Sequence, residues 1–175
     1  RDELFVKVWK IPQRTKTEDE QPASELQKNN LYRSMMDCEL VLRFFAIRDA
    51  VTGQTKGSLR QIFDRTMQLY SSLSESQVEK LKSEFLITLQ RVTSALGYGF
   101  HLLPDGQPSR PLYDAILVAA DAQPMSNLQE NAAAIKAKLE AALAEPINYD
   151  ILVGRGNTLE SIKERVTLAT TILVG

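Results

Sequence analysis

The chain has one cysteine, Cys38, and one histidine, His101. A lone thiol forms no internal disulfide and no thiolate metal cluster, and a single His distant from a single Cys excludes a His-rich zinc site built from this chain alone. So little cysteine fits a reducing compartment. No run approaches the roughly 18 apolar residues a membrane helix needs, and nothing reads as a signal peptide. A cytoplasmic location with no membrane partner is therefore expected. An excess of one charge is missing too: 21 Lys+Arg against 22 Asp+Glu leave a formal net charge of −1. That balance provides no bulk attraction to nucleic acid or anionic lipid. The chain opens on Arg1 rather than Met and closes on Ile172-Leu173-Val174-Gly175, which has the look of a piece of something longer.

What is present is ordinary globular composition: 175 residues, 43% hydrophobic and 25% charged, enough for one domain with a full core. Residues 4–11 (LFVKVWKI) are ambiguous between a strand and a helix end, and are read as a short extended N-terminal segment. Residues 13–30 are polar and read as a surface loop or linker, so residues 1–30 stand apart from a helical domain over 31–175.

From Leu31 onward the periodicity is helical. Residues 33–49 form the first strong helix, with Met35 and Met36 as core filler. Ser58 caps a second, with Leu59, Ile62, Phe63, Leu69 and Tyr70 on one face. Ser74 and Gln77 form a capping box for a third, carrying Val78, Leu81, Phe85, Leu89, Val92 and Leu96 and stopped by Gly97. YGFHLL at 98–103 looks extended and runs into the turn Pro104-Asp105-Gly106. Pro111 suits the first turn of a fourth helix with Leu112, Ile116, Leu117 and Ala120. Asn127 with Glu130 starts a fifth, ended by Pro146, and Asn157 with Glu160 starts a sixth. The fold class is mainly α: a single helical domain of about six helices.

In the stretch MMDCELVLRFFAIRD (35–49), apolar residues occupy the whole circumference while charges are threaded between them. Arg43 falls among Met36, Ala46 and Ile47. A buried guanidinium needs a partner, and Glu39, four residues earlier, supplies one. Glu39 and Arg43 are read as a structural pair that fixes how this helix docks, with ligand binding by Arg43 the lesser alternative. Gly154-Arg155-Gly156-Asn157 precedes a helix N-terminus, where free N–H groups favour anions. It lacks the lysine of a nucleotide-phosphate loop, so a turn with an N-cap is expected, and these four residues remain weak anion-site candidates. His101 reads as a core or edge histidine. No catalytic residue, metal ligand or cofactor is assigned.

The run Glu39-Leu40-Val41-Leu42-Arg43-Phe44-Phe45-Ala46, with Arg33 and Asp37 before it, resembles the signature helix of the N-terminal domain family of GmrSD-type restriction enzymes (domain of unknown function 262). The order downstream is similar: Gly57-Ser58-Leu59, then Leu96-Gly97-Tyr98-Gly99-Phe100, a Leu-Tyr-Asp-Ala-Ile-Leu-Val-Ala helix, and a closing Gly156-Asn157-Thr158 segment. The resemblance covers residues 31–175. It implies the helical half of a protein of restriction or anti-phage defence, whose relatives also carry a ParB-like α/β portion with a D-G-Q-Q-R motif and often a His-Asn-His nuclease. Asp105-Gly106-Gln107 imitates that first motif, but Pro108 replaces its second glutamine and no βα context precedes it. The resemblance thus implies a non-catalytic scaffold that packs against, or regulates, a ParB-like nucleotide-handling portion or its own subunits, with nucleic acid reached through the parent protein. The alternative is a self-standing helical module that binds a protein or nucleic-acid partner through a basic groove of Arg43, Arg48, Arg60, Arg65 and Arg91. Exposed clustered arginines would favour the module, and an exposed apolar face the scaffold.

Overall fold

Leu112, Tyr113, Ala115, Ile116 and Leu117 are fully buried, and residues 112–120 are buried without interruption, so one short helix runs through the middle of the molecule. The computed structural model describes residues 2–13, 25–53, 57–154 and 156–174, apart from the side chains of residues 125–127. Within them the helices are α1 (Glu3–Val8), α2 (Glu25–Lys28), α3 (Asn30–Arg33), α4 (Met36–Thr52), α5 (Leu59–Tyr70) and α6 (Glu75–Leu96). They continue as α7 (Arg110–Asp121), α8 (Met125–Glu130), α9 (Ala132–Ala144), α10 (Pro146–Val153) and α11 (Leu159–Val174). The central helix is α7, and α4, α6, α10 and α11 pack around it.

The fold is mainly helical, but among the described residues the count is eleven rather than about six. The extra helices are short pieces that single-helix periodicity merges or skips. The first strong helix is split, because Met35 takes φ 55° between α3 and α4. Pro146 ends α9 and, having no N–H to lose, opens α10 as its first residue. The N-terminal segment is helical, not extended. Asp2 caps it by accepting from the Leu4 and Phe5 N–H groups, and Phe5, Val6, Val8 and Trp9 join the main core. Leu26, within the expected polar loop, is buried in that core as well. Residues 98–103 form turns rather than a strand, with an isolated bridge from Leu102 to Pro108.

Both capping boxes form: the Ser58 and Ser74 side chains accept from the Gln61 and Gln77 N–H groups, and each glutamine returns the contact. Gly97 ends α6 at φ 87°, where a Cβ would be strained. Helix α11 is capped by Thr158 rather than Asn157: Thr158 Oγ1 accepts from the Ser161 N–H at 3.2 Å. Asn127 falls inside α8, and its side chain lies outside the described residues. Three residues assigned inward face solvent. Met35 is 67% exposed on its left-handed backbone, Leu69 is exposed because α5 packs chiefly on α4, and Val78 lies on the first turns of α6, which run past the core.

Candidate functional site

Arg43 reaches from α4 to the central helix. Its Nε donates to Asp114 Oδ1 and Oδ2 at 3.2 and 2.9 Å, its Nη2 donates to Asp114 Oδ2, and its Nη1 lies 3.4 Å from Glu39 Oε1. The fork engages both oxygens of Asp114, a geometry only arginine supplies. Burial works against the Arg43 charge, but Asp114 first and Glu39 second outweigh it and hold its pKa above the ordinary arginine value. Burial pushes the Asp114 carboxyl up, with Arg43 and then Arg165 pulling against that. The Glu39 side chain keeps 35% of its surface in solvent, whereas that of Asp114 keeps 2%. Sequence reasoning paired Arg43 with Glu39 and passed over Asp114. A signal existed: Asp114 is the one charge in the apolar run 112–120, and a carboxylate buried all round requires a cation.

Arg165 was missed in the same way. It sits at 4% exposure on the inner face of α11, among Leu159, Ile162, Val166 and Ala169. Its Nε donates to the Ile151 carbonyl at 3.0 Å, and its Nη2 to the Gly154 and Gly156 carbonyls at 2.9 and 3.1 Å. Burial lowers its pKa; Asp114 opposes that and Arg43 adds to it. These contacts define the loop sequence reasoning kept as a weak anion site. A phosphate cradle needs converging N–H groups. Here the Gly154 and Gly156 carbonyls converge instead on a cation, and the Gly154 N–H is spent on the Asp150 carbonyl at 2.9 Å. The glycines answer to crowding: a Cβ on Gly154 would lie 2.1 Å from Asp150 O, and one on Gly156 2.7 Å from Ser161 Cβ. Arg155 lies outside the described residues.

Asn157 is brought somewhere else. Together with Glu39 it lines an open cleft of about 820 Å³ between α4 and α5, whose apolar wall includes Met35, Leu42, Phe63 and Met67. The Arg43 guanidinium carbon stands 5.4 Å from the Phe63 ring centroid. Arg43 therefore joins the cleft wall to the central helix through both Phe63 and Asp114. Met35 and Met67 remain 67% and 59% exposed, which makes this an apolar face in contact with water.

The proposed basic groove does not assemble from its five arginines. Arg43 is taken by Asp114. Arg48 Nη1 lies 3.0 Å from Glu84 Oε2 and 3.8 Å from Asp121 Oδ2, and Arg91 donates to the Gln123 carbonyl. Arg60 and Arg65 alone among them are exposed, and Arg65 Nε donates to the Gln61 carbonyl. Among the described residues no group of three or more His, Cys, Asp and Glu is placed to hold a metal ion, and no helix is long and apolar enough to cross a membrane. No protein-family model, no curated protein and no solved structure matches the chain.

Proposed function

We propose that residues 1–175 form a non-catalytic helical scaffold of a GmrSD-like defence protein and present the cleft between α4 and α5 to a ParB-like nucleotide-handling portion. The observation carrying this reading is the solvent-facing apolar cleft, with Met35 and Met67 exposed at its wall. Exposed apolar surface of this kind marks contact sites, and methionine adapts its shape to a partner. The Arg43–Asp114 pair supports the reading because it stiffens the wall that receives the partner. A segment pressed against Phe63 or Glu39 would bear on Arg43 and, through Asp114, on the central helix. A cytoplasmic location and nucleic-acid contact through the parent protein belong to the same proposal.

The test is binding of the chain to the ParB-like portion of its own gene product, supplied separately and followed by sedimentation. A complex should form, and Met67→Asp should weaken it at least about tenfold, since it places a charge in a desolvated contact. A complete gene product without a D-G-Q-Q-R-bearing α/β portion would sink the proposal, as would binding indifferent to Met67→Asp. The isolated chain should release no phosphate from ATP, GTP or UTP. Turnover that follows the purified chain and falls in Asp105→Asn would make it an enzyme.

A further inference from the structure

The cleft between α4 and α5 carries charge as well as an apolar wall. Arg60, Phe63, Asp64 and Met67 all line it, and their i, i+3, i+4, i+7 spacing makes them one stripe along α5. The cleft also reaches Ser58 at the start of the helix, so it follows α5 for about 13 Å. Arg60 and Asp64 are both exposed. Among the described residues neither makes a hydrogen bond or an ion pair, with each other or with a third group. Elsewhere charges three apart do pair along their helix, Lys28 with Glu25 and Lys82 with Glu79. In Arg60 and Asp64 the basic residue comes first, the weaker order for pairing within a helix.

Two unspent charges of opposite sign on one stripe are complementary to themselves. When α5 lies antiparallel on a copy of itself, with a two-fold axis level with residue 62, Arg60 of each copy stands opposite Asp64 of the other. A foreign partner would have to supply both signs at the same spacing, whereas a second copy supplies them by symmetry. About the same axis, Met67 of each copy comes level with residue 57 of the other, at the Ser58 end of its cleft. Met67 is 59% exposed and gains an apolar wall there. The formal net charge of −1 sets up little general repulsion between copies.

We propose that a second copy of this chain occupies the cleft: α5 packs antiparallel on α5 about a two-fold axis, Arg60 of each copy against Asp64 of the other. One helix face of this length buries less than the roughly 800 Å² per partner of a stable interface, so the pairing is weak and reversible. It covers the face that the scaffold reading gives to a ParB-like portion and competes with that portion for it. The pairing itself does not rest on the scaffold reading.

Sedimentation equilibrium of the chain alone, from about 10 μM to about 1 mM, should show a monomer–dimer equilibrium with a Kd of roughly 10–500 μM. Arg60→Asp and Asp64→Arg each bring like charges together across the axis, and each should weaken the dimer at least about tenfold. Mixed one to one, the two variants present opposite charges to each other at both contacts, and the dimer should return. Both positions are exposed, so both variants should keep the urea midpoint of the parent chain, which checks that they stay folded. A chain that is still monomeric at about 1 mM overturns the proposal. So does a dimer indifferent to either reversal, or a pair of variants that stay apart when mixed. The ParB-like portion is absent from every arm, so failure here and failure of the scaffold reading are separate results.

Discussion

Arg43 spends its guanidinium on two carboxylates of unequal burial, and the inequality predicts unequal mutational costs. Asp114→Asn leaves Arg43 buried without its main counter-charge and should destabilise by about 3–5 kcal/mol. Glu39→Gln should cost under about 1 kcal/mol, because Glu39 keeps much of its hydration. Pairing Arg43→Met with Asp114→Leu should cost less than the sum of the two single changes, since no orphan charge remains. Urea unfolding of Asp114→Asn, of Glu39→Gln and of the four proteins of the double-mutant cycle measures each value, and additivity within the cycle would mean the pair is not coupled. His101 provides a second test. Burial, aided by Lys10, lowers its pKa to about 4 from 6.5. The unfolded chain therefore takes up its proton first, so this stability is complete above pH 6.5 and is lost as pH falls toward 4. By pH 5 the loss should reach about 2 kcal/mol. Denaturant midpoints at pH 7.5 and 5 should differ accordingly, and His101→Phe should flatten the difference.

At the scale of elements, one arginine ties two helices and a turn together. Arg165 on α11 satisfies Ile151 O in the last turn of α10, plus the Gly154 and Gly156 carbonyls that follow. Helix ends leave such carbonyls without internal partners, and a basic side chain is one remedy. Arg165→Met removes the remedy for three half-buried acceptors at once and should cost about 3 kcal/mol. Hydrogen exchange should quicken across residues 150–162 before it does in α4 or α6. Gly154→Ala should disturb the same region, because its Cβ would collide with the backbone oxygen of Asp150. Exchange that changes equally everywhere would show that the loop is not a unit of its own.

For the whole molecule, α7 is the element on which α4, α6, α10 and α11 all pack. Ile116 is fully buried at its centre, and Ile116→Ala should cost about 2–5 kcal/mol with the transition staying single and cooperative. Met67→Asp, on the cleft face, should change stability by under about 0.5 kcal/mol, because it removes little buried contact. Thermal unfolding of both variants separates the two surfaces. A large loss from Met67→Asp would place that side chain in the core and remove the docking face.

Local signals were legible in the sequence wherever the physics is local. The Ser58 cap, the Ser74–Gln77 capping box, the Gly97 stop, the Pro-Asp-Gly turn and the inward positions of α6 from Phe85 to Val92 depend on residues within a turn or two of each other. Helical class follows from the same 3.6-residue periodicity. The N-terminal segment was misread because six helical residues carry too little periodicity to separate from a strand, and what holds α1 in place is burial of Phe5, Val8 and Trp9 by distant helices. The partners of charge were hidden for a related reason. Glu39 was found because it lies one turn from Arg43, whereas Asp114 is 71 residues away, and only the packing of α4 on α7 brings them together. Likewise a turn was expected at Gly154 and Gly156, but only the fold shows that their carbonyls meet Arg165. The sequence by itself determined the caps at Ser58 and Ser74, the stop at Gly97 and most inward positions of the longer helices, because those choices are made within one turn. Tertiary structure alone decided which helix is central, which cation meets which carboxylate and where a cavity remains, because those depend on how separate helices meet.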